Sequence, residues 1–124
     1  MNMIRVACAC LAFSAALAIA QAPADLKAVR EKVAKGQARL VDVREEGEWK
    51  EGHLNDATLT PLSRISKGLD AKAMAELKEK PVFVHCRAGI RAQKAAALLK
   101  AAGVDATPLK ASYDELEAVF GKAK

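Results

Sequence analysis

Val82-Phe83-Val84-His85-Cys86-Arg87-Ala88-Gly89-Ile90-Arg91-Ala92 is the stretch on which the reading of this chain turns. A short β-branched and aromatic run comes after Pro81 and stops at a cysteine. Ala95, Leu98, Leu99 and Ala102 then recur at helical spacing up to Gly103. The pattern predicts a buried strand over Val82–Val84, a tight loop, and a helix over Arg91–Ala102. Proline is tolerated at a strand start because its missing donor costs little there. Cys86 thus falls at the carboxyl end of a strand, where open α/β sheets place their ligands. Backbone N–H groups from Arg87 to Ala92 can converge on one point at a helix N-terminus, which is a ready anion site. Such a site favours thiolate over thiol. Gly89 gives the loop its backbone freedom, and Arg87 and Arg91 bracket it with permanent charge suited to oxyanions.

Similar units flank this stretch. Asp25 can cap a helix through Leu26, Val29 and Val33, ended by Gly36. Arg39–Val43 reads as a buried strand, Glu45–Glu51 as a short charged helix closed by Gly52, and Ala57–Leu59 as a weak strand. A helix over Asp70–Lys78 precedes the central strand. Asp105–Leu109 reads as a further strand, and Ser112-Tyr113-Asp114-Glu115 as a capping box opening a last helix through Phe120. Strands alternating with helices imply an α/β fold, with a mainly parallel central sheet and helices on both faces. The length of 124 residues holds one such domain, here 21–124.

Residues 1–20 read as an address. Arg5 precedes an uncharged apolar run, Val6–Ala20, of signal-peptide length and shorter than the ~20 residues a spanning helix needs. Ala18-Ile19-Ala20 fits a cleavage site that leaves Gln21 first, so the expectation is an exported protein, periplasmic or secreted, with no stable membrane span after cleavage. Cys8 and Cys10 leave with that segment, and Cys86 remains alone, either buried and inert or reactive. Two histidines and one cysteine give no metal-ligand spacing, so no metal site is expected.

The net charge of +5 is unevenly spread. Pro81–Lys110 carries +4, whereas Glu45–Asp56 carries −4. The positive bias therefore lies around Cys86 and would attract a small anion. Aromatic residues make up only 4%, and the basic residues do not run together, which argues against a nucleic-acid partner. His85 obeys the strand register and reads as structural, with its ring turned from the cysteine. His53 reads as a loop hydrogen-bonding residue, and Trp49 as core or rim packing. Asp42 and Arg44 read as supports that pin the loop after the first strand.

Cys86-Arg87-Ala88-Gly89-Ile90-Arg91 resembles the active loop of the rhodaneses, a family of sulfurtransferases. Val41-Asp42-Val43-Arg44-Glu45, with Gly52-His53-Leu54 and Ala57 after it, resembles the family's second signature. Leu109-Lys110 and Tyr113-Asp114-Glu115 resemble its C-terminal segment. The matches run in family order from Leu26 to Phe120, and the overall likeness is to short exported single-domain rhodaneses of the phage-shock type. The chain departs from the family pattern at Asn55-Asp56, where proline-glycine is common. It departs again at Ala111-Ser112, where two glycines are common, and at Leu116, where tryptophan is.

The resemblance implies a single rhodanese-like domain and a double displacement without a metal or organic cofactor. Cys86 would take sulfane sulfur from an anionic donor such as thiosulfate and pass it from a persulfide to a thiol or other thiophilic acceptor. Arg87, Ala88, Gly89, Ile90, Arg91 and Ala92 would bind the donor. Two other functions compete. One is a rhodanese-like module that binds or relays a persulfide for a partner, without turnover of free substrate. The other is a cysteine-loop phosphatase or arsenate reductase, which needs five residues between cysteine and arginine; only four separate Cys86 from Arg91. Oligomeric state leaves no mark in the sequence.

Overall fold

Side-chain alternation along four short parallel strands sorts the interior into two cores. The computed structural model describes residues 25–124. Its elements run α1 (Leu26–Ala34), β1 (Arg39–Asp42), α2 (Glu46–Glu51), β2 (Ala57–Leu59), α3 (Leu62–Lys67), α4 (Ala71–Lys78), β3 (Val82–His85), α5 (Ile90–Ala101), β4 (Ala106–Pro108) and α6 (Tyr113–Phe120). The strands lie in the order β2-β1-β3-β4, every pair parallel. Val41, Val43, Val82, Val84 and Ala106 pack into one core with Ile65 of α3, Leu77 of α4 and Ala92, Ala95, Ala96 and Leu99 of α5. Leu40, Phe83 and Leu109 pack into the other with Val29 of α1 and Leu116 and Phe120 of α6. Helices thus cover both faces of the sheet, as the strand–helix alternation implies.

Local chemistry explains most boundaries. The Asp25 carboxylate caps α1 by accepting from Lys27 N at 3.1 Å, and Asp70 caps α4 by accepting from Ala73 N at 2.8 Å. Ser112 Oγ accepts from Glu115 N at 3.3 Å. The Glu115 carboxylate accepts from the serine hydroxyl rather than from Ser112 N, so only half of the expected capping box forms. The buried alanines of α5 let its backbone approach the sheet closely, and a buried leucine such as Leu99 adds about 2 kcal/mol of apolar burial.

Several elements differ from the sequence expectation: β1 ends at Asp42 rather than Val43, β3 runs one residue further, to His85, and α5 ends at Ala101 rather than Ala102. Helix α3 has no counterpart in that expectation, because six residues with only Leu62 and Ile65 on an apolar side carry too little periodicity. Helix α5 begins one residue early, at Ile90, since Gly89 in a left-handed conformation already starts the turn. Strand β4 is shorter than Asp105–Leu109, because Asp105 and Leu109 hydrogen-bond β3 outside the regular ladder. The leader expected over 1–20 lies outside the described residues. Among the described residues, no helix is long and apolar enough to cross a membrane.

Candidate active site

Strands β1 and β3 end side by side, with Asp42 opposite His85 and Val43 N donating to His85 O at 3.0 Å. Both strands release their chain at the same carboxyl edge of the sheet, and the two segments released there build the site.

After β3, Cys86 continues the strand's alternation and points to the α5 side. It is 1% exposed, yet its sulfur is not buried among apolar groups alone. Gly89 N donates to Sγ at 3.0 Å and Ala92 N at 3.4 Å. The sequence allows all the amides from Arg87 to Ala92 to converge on one point. The structure narrows this to two donors on the sulfur itself, because the chain must turn through Ala88 and Ile90 to reach the helix. Ala88 is exposed and Ile90 is 78% exposed at the loop tip. Arg87 reaches outward, and its carbonyl accepts from Tyr113 N at 2.8 Å, which ties the loop to the start of α6.

Gly89 is the hinge of this loop. Its φ of +93° is a left-handed conformation, and a Cβ there would lie 3.2 Å from Lys110 Cα and O. A side chain is opposed both by the backbone angle and by the strand-end segment beside it. The same freedom is met differently at Asp56, in the turn before β2. It takes φ +63° without being glycine, at a position where the resemblance leads one to expect glycine.

After β1, the charges are closed on themselves. Arg44 Nε and Nη2 grip both Asp42 carboxylate oxygens at 2.8–3.1 Å, and Asp42 Oδ1 also accepts from Arg44 N at 2.9 Å. Nη2 further donates to Gly52 O at 2.8 Å, fastening the end of α2. The guanidinium lies 4.4 Å over the Tyr113 ring, and both charged residues are at most 2% exposed. Asp42 and Arg44, expected as supports, thus form a buried clamp.

His85 takes the opposite face of β3 from Cys86, as its register implies. Its ring is fully buried beside Tyr113, with centroids 6.4 Å apart. Burial pushes its pKa below 6.5, against the pull of Asp42, whose Oδ2 lies 3.9 Å from Nε2. His53 stacks flat on Trp49 at 3.6 Å, and its Nδ1 lies 3.0 Å from Trp49 O, so both residues shape α2 and the turn after it.

Arg91 is the residue whose environment departs furthest from expectation. Its Nη1 donates to Glu48 Oε2 at 2.7 Å and its Nη2 to Glu48 Oε1 at 3.0 Å. Arg87 Nε also lies 4.0 Å from that Oε1. Hydrogen bonding from Arg91 brings the Glu48 carboxyl down to about 2, against the effect of burial. Both loop arginines therefore draw on one carboxylate from α2. The sequence shows the opposite charges of the two segments but does not by itself pair them. The signal is there: a −4 segment after β1 and a +4 segment after β3 leave from adjacent strand ends. Tyr113, which in sequence reads as part of a cap and of the segment resembling the family's C-terminal signature, seats both the loop carbonyl and the Arg44 guanidinium.

A family model described as the rhodanese-like domain matches residues 25–118. The chain is 35% identical over 65 residues to "Probable adenylyltransferase/sulfurtransferase MoeZ" of Mycobacterium tuberculosis, spanning 52% of this chain and 16% of that protein. It is 34% identical over 68 residues to YqhL of Bacillus subtilis, spanning 54% of this chain and 50% of that one. These matches reach no more than half the length of the curated relatives. Among solved structures, hp1203 of Helicobacter pylori is 34% identical with a TM-score of 0.60, covering 76% of this chain and 84% of that one. The human single-domain sulfurtransferase TSTD1 is 27% identical with a TM-score of 0.64, covering 76% and 94%. With a cysteine at the end of β3, amides turned onto its sulfur and a family match over most of its length, the chain belongs to the rhodanese-like domain family.

Proposed function

We propose that the protein is a sulfurtransferase that carries sulfane sulfur on Cys86. One observation supports this above the rest: the Cys86 sulfur sits at a strand end and accepts from Gly89 N and Ala92 N at the start of α5. Preorganised amides of this kind stabilise a sulfur anion as an oxyanion hole stabilises oxygen. With thiosulfate, the Cys86 thiolate attacks the outer sulfur, the sulfur–sulfur bond of the donor breaks, and sulfite leaves with the bonding pair. Cys86 then holds a persulfide anion. An acceptor nucleophile attacks the outer sulfur, the Cys86 sulfur–sulfur bond breaks, and the thiolate returns.

The phosphatase reading loses support from the loop length: only four residues separate Cys86 from Arg91, where that chemistry needs five. A persulfide-relay module remains the competing reading, because the loop tip presents Ile90 and Arg87 outward beside a buried sulfur. Treatment with thiosulfate is expected to add one sulfur to the intact mass, removable by a thiol. Thiocyanate formation from thiosulfate and cyanide should fall at least about a thousandfold in Cys86→Ser, as it does when a nucleophile is removed. Equal, negligible rates in both proteins would leave only the module.

A further inference from the structure

Part of the positive charge around the sulfur is already answered before any donor arrives. Arg87 and Arg91 contribute two positive charges, and Glu48 of α2 sets one negative charge against them. The carboxylate is not a passing surface partner. Its Oε2 also accepts from Glu45 N at 3.0 Å, inside a reciprocal capping box at the start of α2. That bond fixes the carboxylate in place, and the bidentate grip of Arg91 fixes the guanidinium in turn. A dianion entering here must either share Arg91 with Glu48 or displace it, and it meets a carboxylate at close range.

We propose that Glu48 is a specificity-determining residue that turns the site from dianionic donors toward donors of low charge at the sulfane sulfur, namely organic hydropersulfides. This rests on sulfur transfer through Cys86. The step balances: the Cys86 thiolate attacks the terminal sulfur of R–S–SH, a bond forms from Cys86 to that sulfur, and the sulfur–sulfur bond of the donor breaks. The products are the Cys86 hydropersulfide and the thiolate RS⁻, with one negative charge on each side. That leaving group carries one charge where sulfite carries two, so it does not need the guanidinium that Glu48 occupies. Sulfite leaving from thiosulfate does.

The test is single-turnover loading of Cys86, monitored as gain of one sulfur in intact mass, with thiosulfate or cysteine hydropersulfide as donor. The wild-type protein is expected to load faster from the hydropersulfide at equal concentration. Glu48→Gln, which keeps shape and removes charge, should raise the thiosulfate rate relative to the hydropersulfide rate by about tenfold. That gain should shrink at about 1 M salt, where charges are screened. Glu48→Asp keeps the charge and should hold the wild-type ratio, so a rise there as large as in Glu48→Gln overturns the proposal. An unchanged or lowered ratio in Glu48→Gln, or a gain insensitive to salt, overturns it too. If the wild-type protein loads from neither donor, it is sulfur transfer itself that fails. Loading from both donors with an unmoved ratio refutes the role of Glu48 alone.

Discussion

Two strand ends meet at one edge of the sheet, and they use their polar groups in opposite ways. After β1, Asp42 and Arg44 satisfy each other, take in a backbone carbonyl and lie under an aromatic ring. After β3, Cys86 is equally buried, yet the hydrogen bonds its sulfur accepts come from two backbone amides. The first arrangement is closed and can only hold. The second leaves a nucleophilic atom facing backbone donors, which is what the proposed sulfur transfer requires. Burial alone therefore does not separate support from chemistry in this fold; what matters is whether the buried group still has something to exchange.

The closed end should be the more sensitive to disturbance. Arg44→Ala leaves the Asp42 carboxylate buried and uncompensated, and a loss of about 3–5 kcal/mol in urea unfolding is expected. The double change Asp42→Asn with Arg44→Met removes both charges and should recover a large part of that loss. Failure to recover it would mean that the clamp matters for its shape and its bond to Gly52 rather than for charge balance. The open end should fail in rate before it fails in stability. Gly89→Ala must strain a left-handed residue and push against Lys110, shifting the Gly89 amide off the sulfur. A loss of about 10–100-fold in sulfur-transfer kcat/KM is expected, with about 1–2 kcal/mol of stability. If stability fell and the rate held, the amide would not be part of the cradle.

The smallest effect belongs to the histidine between the two ends. The folded protein keeps His85 neutral, with its pKa below 6.5 because of burial, so the unfolded chain binds the proton more readily. Its contribution to stability is complete above 6.5 and is lost as pH falls below that value, with a slope of up to about 1.4 kcal/mol per pH unit. Urea midpoints measured from about pH 7.5 down to 5 should show this decline, and His85→Leu should flatten it. An unchanged slope in that variant would place the acid sensitivity elsewhere.

Much of this is legible in the residues. The strand, loop and helix around Cys86 announce themselves through a change from strand to helical periodicity at a cysteine, and Gly89 lies where its positive φ is needed. The placement of His85 away from the sulfur is a matter of strand alternation. Contacts between segments far apart in the chain are hidden. Glu48 and Arg91 are 43 positions apart and meet because β1 and β3 are neighbours, an adjacency no local pattern encodes. Helix α3 is hidden for a different reason: it is too short for its two apolar residues to outvote its charges, and the core against Ile65 decides it.

The hydrogen bond from Tyr113 N to Arg87 O gives α6 two jobs at once: it completes one of the two cores and braces the loop after Cys86. Loosening that helix would slacken the cysteine loop together with the core, so the order of the loop and the docking of the helix rise and fall as one.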